Sequence, residues 1–422
     1  MGTRDRLGPL GRLAGAGTAQ VLSSLSNVVI VIAMGRGGGA SGLGRYTLAF
    51  SAYVIAVGFS RALVAQPLLT LREKIQAGDE SVKASATAVT WLGIAAGALS
   101  ILVGLGLQRP EFIAVGLFMV PLCVQDLLRF AFFQTDRPWR ATLLDAIWLL
   151  ASLAAFPIIA SQESPTTAVL LWGAGSLLGT IPGLVILKVR LLSPTKAYRW
   201  WRLQARQLGV GLVLESAAYS VGFQASLWVI AVLLGGSDLG LLKASQTILQ
   251  PAMICLAAFN MVAIPRMSQA ARGVSPRSVL ATSGGAVLLV GAVAAALVWV
   301  GPPLARILFG SDLQPGRDLL LPVAVQFTAN ALAVGPVTAL MVHRRGGTLA
   351  AVRAISAGLG LAAVAAVCSP LGITGAAWAL ALPALLFALG TAAMTPGSLR
   401  RVGGSEPPGP ISAAPERPSD KQ

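Results

Sequence analysis

Few residues in this sequence belong to the types that most enzymes use for chemistry. Of its 422 residues, three are cysteine and one is histidine. Cys123, Cys255 and Cys368 lie singly within apolar segments, so neither a disulfide framework nor a thiolate metal site is expected. His343 stands alone, which excludes a histidine-rich metal site and argues against a hydrolytic triad. Together with the short outer loops described below, this scarcity predicts a protein without metal, cofactor or enzymatic activity.

Charged residues are equally scarce. They make up 11% of the chain, whereas 55% of the residues are hydrophobic and the mean hydropathy is +0.74. A water-soluble fold of this composition would lack the polar surface needed to cover its apolar interior. The composition predicts an integral membrane protein.

Twelve apolar segments are long enough to cross a bilayer, because about 20 residues at 1.5 Å each cover a hydrocarbon core of about 30 Å. The predicted spans are Gly11–Met34, Tyr46–Thr70, Ser85–Leu107, Glu111–Phe133, Ala141–Ala160, Thr167–Leu187, Gln207–Leu234, Gly240–Pro265, Ser278–Val300, Asp318–Val342, Thr348–Cys368 and Leu371–Met394. Six lie on either side of a basic segment that contains Lys188, Arg190, Lys196, Arg199, Arg202 and Arg206. We expect an all-α integral membrane fold of about twelve transmembrane helices in two six-helix bundles.

The cations lie mainly in alternate loops. The chain has 32 Lys and Arg residues against 16 Asp and Glu, for a net charge of +16. If both termini are cytoplasmic, most cations fall in cytoplasmic segments, as the positive-inside rule requires. This sorting explains the net charge without a basic groove, so no nucleic-acid partner is expected.

The predicted outer loops are short. The longest are Gly35–Arg45 and Gly301–Arg317, which leave little room for the external catalytic site of a membrane glycosyltransferase or polysaccharide polymerase. The glycine run 35–39 lacks the Lys-Ser/Thr ending of a phosphate-binding loop and follows a membrane helix, so we interpret it as a flexible hairpin.

The two halves share a sequence pattern. Leu43-Gly44 precedes Pro67 and a charged loop, and Leu239-Gly240 precedes Pro265 and Arg266. This pattern favours parallel repeats with a substrate site between them, although Leu-Gly and Pro are also frequent in membrane helices. We expect an N-terminal bundle over residues 1–198, a C-terminal bundle over 199–399 that begins with a basic interfacial linker, and a disordered cytoplasmic tail over 400–422.

Ionisable residues within spans usually face a cavity or a partner. Seven qualify: Arg61, Asp126, Arg129, Asp145, Glu215, Lys243 and Arg353. Lys243 and Arg353 lie near span ends, where their long side chains are expected to reach the interface. Asp126, Arg129 and Asp145 share an inner-leaflet depth, which fits either a structural ion cluster or a cytoplasmic gate.

Arg61 and Glu215 lie deeper, at a similar depth in opposite halves. Polar residues at helical spacing surround them: Gln20, Ser23, Ser24 and Asn27; Ser216, Tyr219, Ser220 and Gln224; Ser245, Gln246 and Gln250; and Gln326 and Asn330. Any one of these residues could simply join helices. Together with a buried arginine, the set favours a hydrated cavity.

Three stretches resemble polysaccharide flippases of the multidrug/oligosaccharidyl-lipid/polysaccharide superfamily. They are Leu43–Ala49, Asp126–Phe130 followed by Asp136–Arg140, and Gly240–Pro251 leading to Ile264-Pro265. The resemblance implies two bundles that form a V, with spans one, two, seven and eight lining the cleft. It also implies a multi-pass protein of the bacterial cytoplasmic membrane.

The function implied by this resemblance is translocation of a polyprenyl-diphosphate-linked oligosaccharide by alternating access, for cell-surface polysaccharide synthesis. Arg61 would hold the diphosphate, since a guanidinium offers forked donors to phosphate oxygens. The expected sugar-binding residues are Gln20, Asn27, Tyr219, Gln224, Gln246 and Gln250, and Glu215 is the expected coupling-ion site. The expected partners are the lipid-linked oligosaccharide, membrane lipids and a polysaccharide polymerase or glycosyltransferase, and the chain is expected to be a monomer.

Two alternatives stay open. A multidrug or small-metabolite cation-coupled antiporter would favour an acidic, aromatic-lined cleft, which an aromatic content of 6% and a cleft arginine argue against. A non-transporting scaffold of an envelope-synthesis complex would use the tail from Arg400 to Gln422 for docking. The central basic segment, with Tyr198, Trp200 and Trp201, is typical of an amphipathic interfacial helix.

Overall fold

The computed structural model describes residues 9–69, 76, 78–135, 137–268, 275–311, 313–343 and 345–402. Regular secondary structure in these residues is entirely helical. The helices are α1 (Pro9–Ser60), a π-helix (Arg61–Ala65), α2 (Gln66–Leu69), α3 (Glu80–Gly106), α4 (Pro110–Gln134), α5 (Pro138–Ala160), α6 (Pro165–Ile186), α7 (Pro194–Trp200), a second π-helix (Trp201–Ala205), α8 (Arg206–Leu233), α9 (Gly236–Ile248), α10 (Gln250–Ser268), α11 (Pro276–Phe309), α12 (Arg317–Leu332), α13 (Val334–Val342) and α14 (Gly346–Val402).

Helix α1 contains two membrane passes joined at a single residue. Its 52 residues would extend more than twice the thickness of a hydrocarbon core of about 30 Å. Gly39, with φ 59°, breaks the helical conformation. Gln20 and Arg61, on opposite sides of this break, both contact α4, through Arg129 and Asp126 respectively. Because these two α4 residues are one turn apart, the chain must reverse direction at Gly39.

Helix α14 repeats this arrangement in the second half. It is 57 residues long and is broken at Gly372, with φ 60°. The Arg353 guanidinium carbon lies 3.2 Å from the centre of the Phe387 ring. A straight helix would hold these residues about 50 Å apart, so the chain also reverses here.

The predicted all-helical membrane fold is confirmed. Nine of the described helices are long and apolar enough to cross a membrane, and α9 with α10 forms a tenth, bent span. Since α1 and α14 each reverse, the described chain makes the expected twelve passes. The predicted boundaries of the two bundles stay a prediction, and nearly all of the predicted tail lies outside the described residues.

One predicted loop is wrong, and a second is shorter than predicted. Residues 35–45 are helical on both sides of Gly39, so this segment is a one-residue reversal and not a flexible hairpin. Helix α11 continues to Phe309, through Pro302 and Pro303. Glycine and proline lower the apparent helix tendency of both segments, but a single positive-φ glycine suffices to turn the chain.

The eighth predicted span, Gly240–Pro265, is divided into two helices. α9 ends at Ile248, α10 begins at Gln250, and the two meet at an angle of 48°. Pro251 is the second residue of α10. Proline removes a backbone donor and its ring clashes with the carbonyl four residues earlier, which accounts for the bend.

The halves meet closely where Gly39 turns the chain. A Cβ atom on Gly44 would collide with the carbonyl of Gly236, and one on Gly240 would collide with the carbonyl of Ala40. These four residues form what we call the glycine seam. Arg36 adds hydrogen bonds from Nε and Nη2 to the carbonyls of Leu308 and Ile307, at 2.7 and 2.5 Å.

Contact between the halves differs along their length. α9 packs extensively along α1, whereas α10, beyond the 48° bend, packs mainly against α11. The halves are therefore closely joined through α1 and α9 at the Gly39 end, and α8 continues the contact to the first π-helix, where Ser216 Oγ donates to the carbonyl of Gly58 at 3.2 Å; only α10 diverges from α1.

Candidate functional site

The candidate site is centred on Arg61, the first residue of the first π-helix. Its Nε and Nη2 atoms donate to the two carboxylate oxygens of Asp126 at 2.7 and 2.6 Å. The guanidinium carbon lies 6.0 Å from the centre of the Phe130 ring, one turn further along α4. A π-helical turn is often found at functional sites because its extra residue redirects the side chains around it.

Arg129 connects this ion pair to the interior of the first half. Its Nη1 lies 3.4 Å from Asp126 Oδ1, and its Nε lies 3.2 Å from Asp145 Oδ2. Nη2 donates to Gln20 Oε1 at 3.0 Å, and Nη1 donates to Ser23 Oγ at 3.3 Å. We call Arg61, Asp126, Arg129 and Asp145 the charge network. It joins the π-helix to α4 and α5 and, through Gln20 and Ser23, to the first arm of α1.

Burial within the charge network is uneven. The side chains of Asp126, Arg129 and Asp145 are 4%, 7% and 0% exposed, whereas that of Arg61 is 40% exposed. Buried ions require close partners because desolvation is costly, and each of these three has one. Arg61 is therefore the accessible end of an otherwise buried network, and Asp126 engages only its Nε and Nη2.

The structure brings Asp126, Arg129 and Asp145 together, as the sequence pattern suggested, and adds Arg61 to them. The sequence predicts that Arg61 lies deeper in the membrane than Asp126. Direct pairing shows that the two groups lie at one level. The pair links positions 65 residues apart, so helical spacing gave no sign of it.

The other predicted binding residues do not gather at one point. Gln20 belongs to the surroundings of the charge network, while Asn27 accepts a hydrogen bond from Trp172 Nε1 at 3.1 Å. Gln224 on α8 and Gln246 on α9 are 7% and 9% exposed. Gln250, the first residue of α10, is partly buried.

Tyr219 lines a separate, small cavity in the second half. The cavity has a volume of about 40 Å³ and lies between α8, α12 and α14. Its polar lining consists of Tyr219, Ser226, Gln326, Asn330, Arg353 and Ser356. This volume accommodates an ion or one or two water molecules but not a drug-sized ligand.

Arg353 is a candidate whose location the sequence analysis predicted wrongly. Its position near a span end predicted a side chain at the interface, but its guanidinium packs within the second half, 3.2 Å from the Phe387 ring centre and 4.9 Å from that of Tyr219. Tyr219, Arg353, Gln326 and Asn330 all stand out in the sequence, but no helical spacing relates the three helices that bring them together.

Glu215, the predicted coupling residue, lies on α8 one turn before Tyr219. Its side chain is outside the described residues. The backbone places it on the same helix face as one wall of the cavity, which keeps the prediction open.

Comparison with known proteins identifies the fold. No protein-family model and no curated protein sequence matches this chain. Among solved structures, it resembles an inward-facing multidrug resistance MATE family transporter of the MOP superfamily, with a TM-score of 0.60, 10% identity and coverage of 92% of this chain and 98% of the other.

Two further structures support the same fold. The lipid II flippase MurJ, in an inward closed conformation, has a TM-score of 0.59 at 13% identity, over 91% of this chain and 90% of MurJ. A MOP superfamily transporter from Pyrococcus furiosus, described by the reverse polarity of its binding pocket, has a TM-score of 0.57 at 11% identity over 96% and 99%. This chain therefore has the fold of the MOP superfamily transporters, over nearly its whole length.

Proposed function

We propose that this protein is a flippase that moves a polyprenyl-diphosphate-linked oligosaccharide from the inner to the outer leaflet by alternating access. The observation that carries this proposal is the Arg61 side chain, which is 40% exposed and is fixed at the end of a buried charge network. A fixed guanidinium in a region of low dielectric suits a diphosphate, because its remaining N–H donors form charge-assisted hydrogen bonds to phosphate oxygens and need no reorganisation on binding.

Asp126 would orient the Arg61 guanidinium without occupying the position of the substrate phosphate. Its two oxygens occupy Nε and Nη2, so Nη1 is the group that would bind a phosphate oxygen. Sugar hydroxyls would be bound by the amides of Gln20, Asn27, Gln224, Gln246 and Gln250, whereas Tyr219 lines the small cavity of the second half. These residues lie on α1, α8, α9 and α10, the helices that meet between the halves.

The small cavity of the second half would serve energy coupling. Its volume of about 40 Å³ fits an ion and excludes a sugar. Glu215 precedes Tyr219 by one turn, so a proton or cation bound there would act beside this cavity. We propose that the coupling ion favours one arrangement of α8 against α12 and α14, while the oligosaccharide binds between the halves.

The decisive experiment measures the sidedness of lipid-linked oligosaccharide in cells depleted of this protein. An impermeant glycan-degrading enzyme would be applied to intact cells and to opened membranes. We expect complete oligosaccharide to accumulate in the inner leaflet, accessible only after the membranes are opened. Normal amounts with normal sidedness, in a strain that has no redundant flippase, would contradict the proposal and favour a small-metabolite antiporter.

A further inference from the structure

We infer that an apolar groove, formed mainly by the first half and bordered by α8 and the linker helix, binds the isoprenoid chain of a lipid with an anionic diphosphate head group. This inference rests on the proposed function for the identity of the lipid. It concerns a surface whose lining residues are distinct from those of the charge network and of the predicted sugar-binding set.

The groove is formed by two open cavities that share lining residues. One, of about 430 Å³, lies between the π-helix, α3 and α7, and the other, of about 450 Å³, continues between α1, α3, α4 and α8. Leu63 and Leu92 line both cavities. Along α3 the lining runs from Ala88 to Val103, or about 22 Å by helical rise, which is most of the hydrocarbon core.

The groove is a single continuous channel with an apolar lining, which suits a long hydrocarbon chain. Its lining is almost wholly apolar, with aromatic side chains at both ends: Trp91, Tyr198 and Trp201 near the linker, and Phe112 and Trp228 at the far end. Trp91 and Tyr198 are 51% and 61% exposed, so they form an open rim and not a closed wall.

Cations stand where a head group would lie. Four linker residues line the groove: Pro194, Ala197, Tyr198 and Trp201. Lys196 and Arg199 lie between them in sequence and Arg202 follows Trp201; all three cations are exposed. This alternation is that of a helix lying in the interface, with apolar residues toward the chain and cations available to phosphate. An anionic head group therefore complements the charge at this end of the groove.

The groove is mechanically connected to Arg61. Trp201 Nε1 donates to the carbonyl of Leu63 at 3.1 Å, which fastens the linker to the π-helix that begins with Arg61. Leu63 therefore takes part in the groove through its side chain and in the linker contact through its carbonyl. A lipid docked here would hold its head group next to the segment that presents the phosphate-binding guanidinium. This continuity favours the substrate lipid over an ordinary phospholipid.

Photocrosslinking tests the groove directly. The full chain, carrying benzoylphenylalanine at Leu92, would be reconstituted in phosphatidylethanolamine/phosphatidylglycerol vesicles with a trace of radiolabelled polyprenyl diphosphate. The matched control carries the same probe at Leu150, which is 66% exposed on α5 outside the groove. We expect at least five-fold more labelling at position 92, abolished by unlabelled polyprenyl diphosphate but not by extra phosphatidylglycerol.

Two pairs of variants separate docking from folding. Ala95→Trp fills the groove, whereas Ala98→Trp changes another exposed alanine of α3 that does not line it. Replacing Lys196, Arg199 and Arg202 by Gln removes the head-group cations, whereas replacing Lys188 and Arg190 by Gln removes exposed linker cations that precede α7. We expect several-fold weaker labelling in the first member of each pair and unchanged labelling in the second.

The outcomes distinguish this inference from the proposed function. Equal labelling at positions 92 and 150, or equal competition by phosphatidylglycerol, would overturn the groove assignment even if oligosaccharide export by this protein is intact. Selective labelling in a protein whose depletion leaves oligosaccharide sidedness normal would support the groove and contradict the flippase.

Discussion

At the scale of single residues, the charge network explains how charged groups are tolerated inside a bundle of this composition. The side chains of Asp126, Arg129 and Asp145 are nearly inaccessible to solvent, and each carboxylate lies within 3.4 Å of an arginine nitrogen that offsets the cost of its burial. Arg61 differs from them because two-fifths of its side chain is exposed. That difference separates the groups that hold the network together from the group available to a ligand.

Replacing Arg61 by Ala should reduce export of the oligosaccharide to background while the protein remains in the membrane. Arg45→Ala is the matched control, because Arg45 is 38% exposed and forms the same two-bond pair with a buried carboxylate, Glu111, at 3.1 Å. The measurement is export normalised to the amount of protein in the membrane. Equal losses in the two variants would indicate that the effect comes from stability and not from phosphate binding.

Asp145→Ala should destabilise the protein by about 3 kcal/mol, because it removes one of the two carboxylates beside the buried Arg129. Replacing Arg129 by Met together with Asp145 by Leu should recover much of this stability, because an apolar pair avoids the free-energy cost of removing two charges from water. Equilibrium unfolding in detergent measures the free energy of unfolding of both variants. A single variant as stable as the natural protein would show that Asp145 does not stabilise Arg129.

At the scale of helices, single glycines and prolines determine how the halves approach each other. Gly39 and Gly372 reverse the chain within α1 and α14, and Pro251 bends α10 away from α9. At the glycine seam, Gly44 and Gly240 let two helix backbones meet where any side chain would collide. Small residues allow such close approach of membrane helices.

Gly240→Ala should push the halves apart at the glycine seam, because the added Cβ meets the carbonyl of Ala40. Spin labels at Gln108 and Gln314, exposed residues of the two halves, would report a longer distance by pulsed electron resonance. Gly284→Ala on α11 is the control, since a Cβ there has no neighbour within 4 Å. A distance distribution identical to that of the natural protein would rule out the seam as a close contact in the membrane.

At the scale of the whole molecule, twelve passes place the linker and the end of α14 on the same side of the membrane. The reversals at Gly39 and Gly372 and the segments between α3 and α4 and between α5 and α6 lie on the other side. The proposed transport cycle requires the close contact at the Gly39 end to open as the divergence of α10 from α1 closes. The glycine seam and the Pro251 bend are the structural features available for this exchange.

The sidedness of the chain can be measured with single cysteines in a cysteine-free background. Gln162→Cys, between α5 and α6, should react with an impermeant maleimide applied to intact cells, because the positive-inside rule places it outside. Arg190→Cys in the linker should react only after the membranes are opened. Reaction of both from the same side would contradict the twelve-pass arrangement.

The sequence by itself determined the fold class, because crossing a bilayer demands long apolar helices and composition reveals them directly. It also identified the charged residues of the network and the polar residues of α1, α8 and α12, since ionisable groups are conspicuous in apolar segments. Hydropathy is a local average, however. It could not show that residues 35–45 are helical or that the eighth span is bent, because one glycine or one proline decides each outcome.

Only the tertiary structure decided which groups meet. Arg61 pairs with Asp126 across 65 positions, and Arg353 packs on Phe387 across 34, separations that no helical periodicity relates. The groove likewise exists only because α3, the π-helix and the linker pack together. The physical reason is that side-chain identity fixes the cost of leaving water, whereas the partner that offsets this cost is chosen by the packing of the helices.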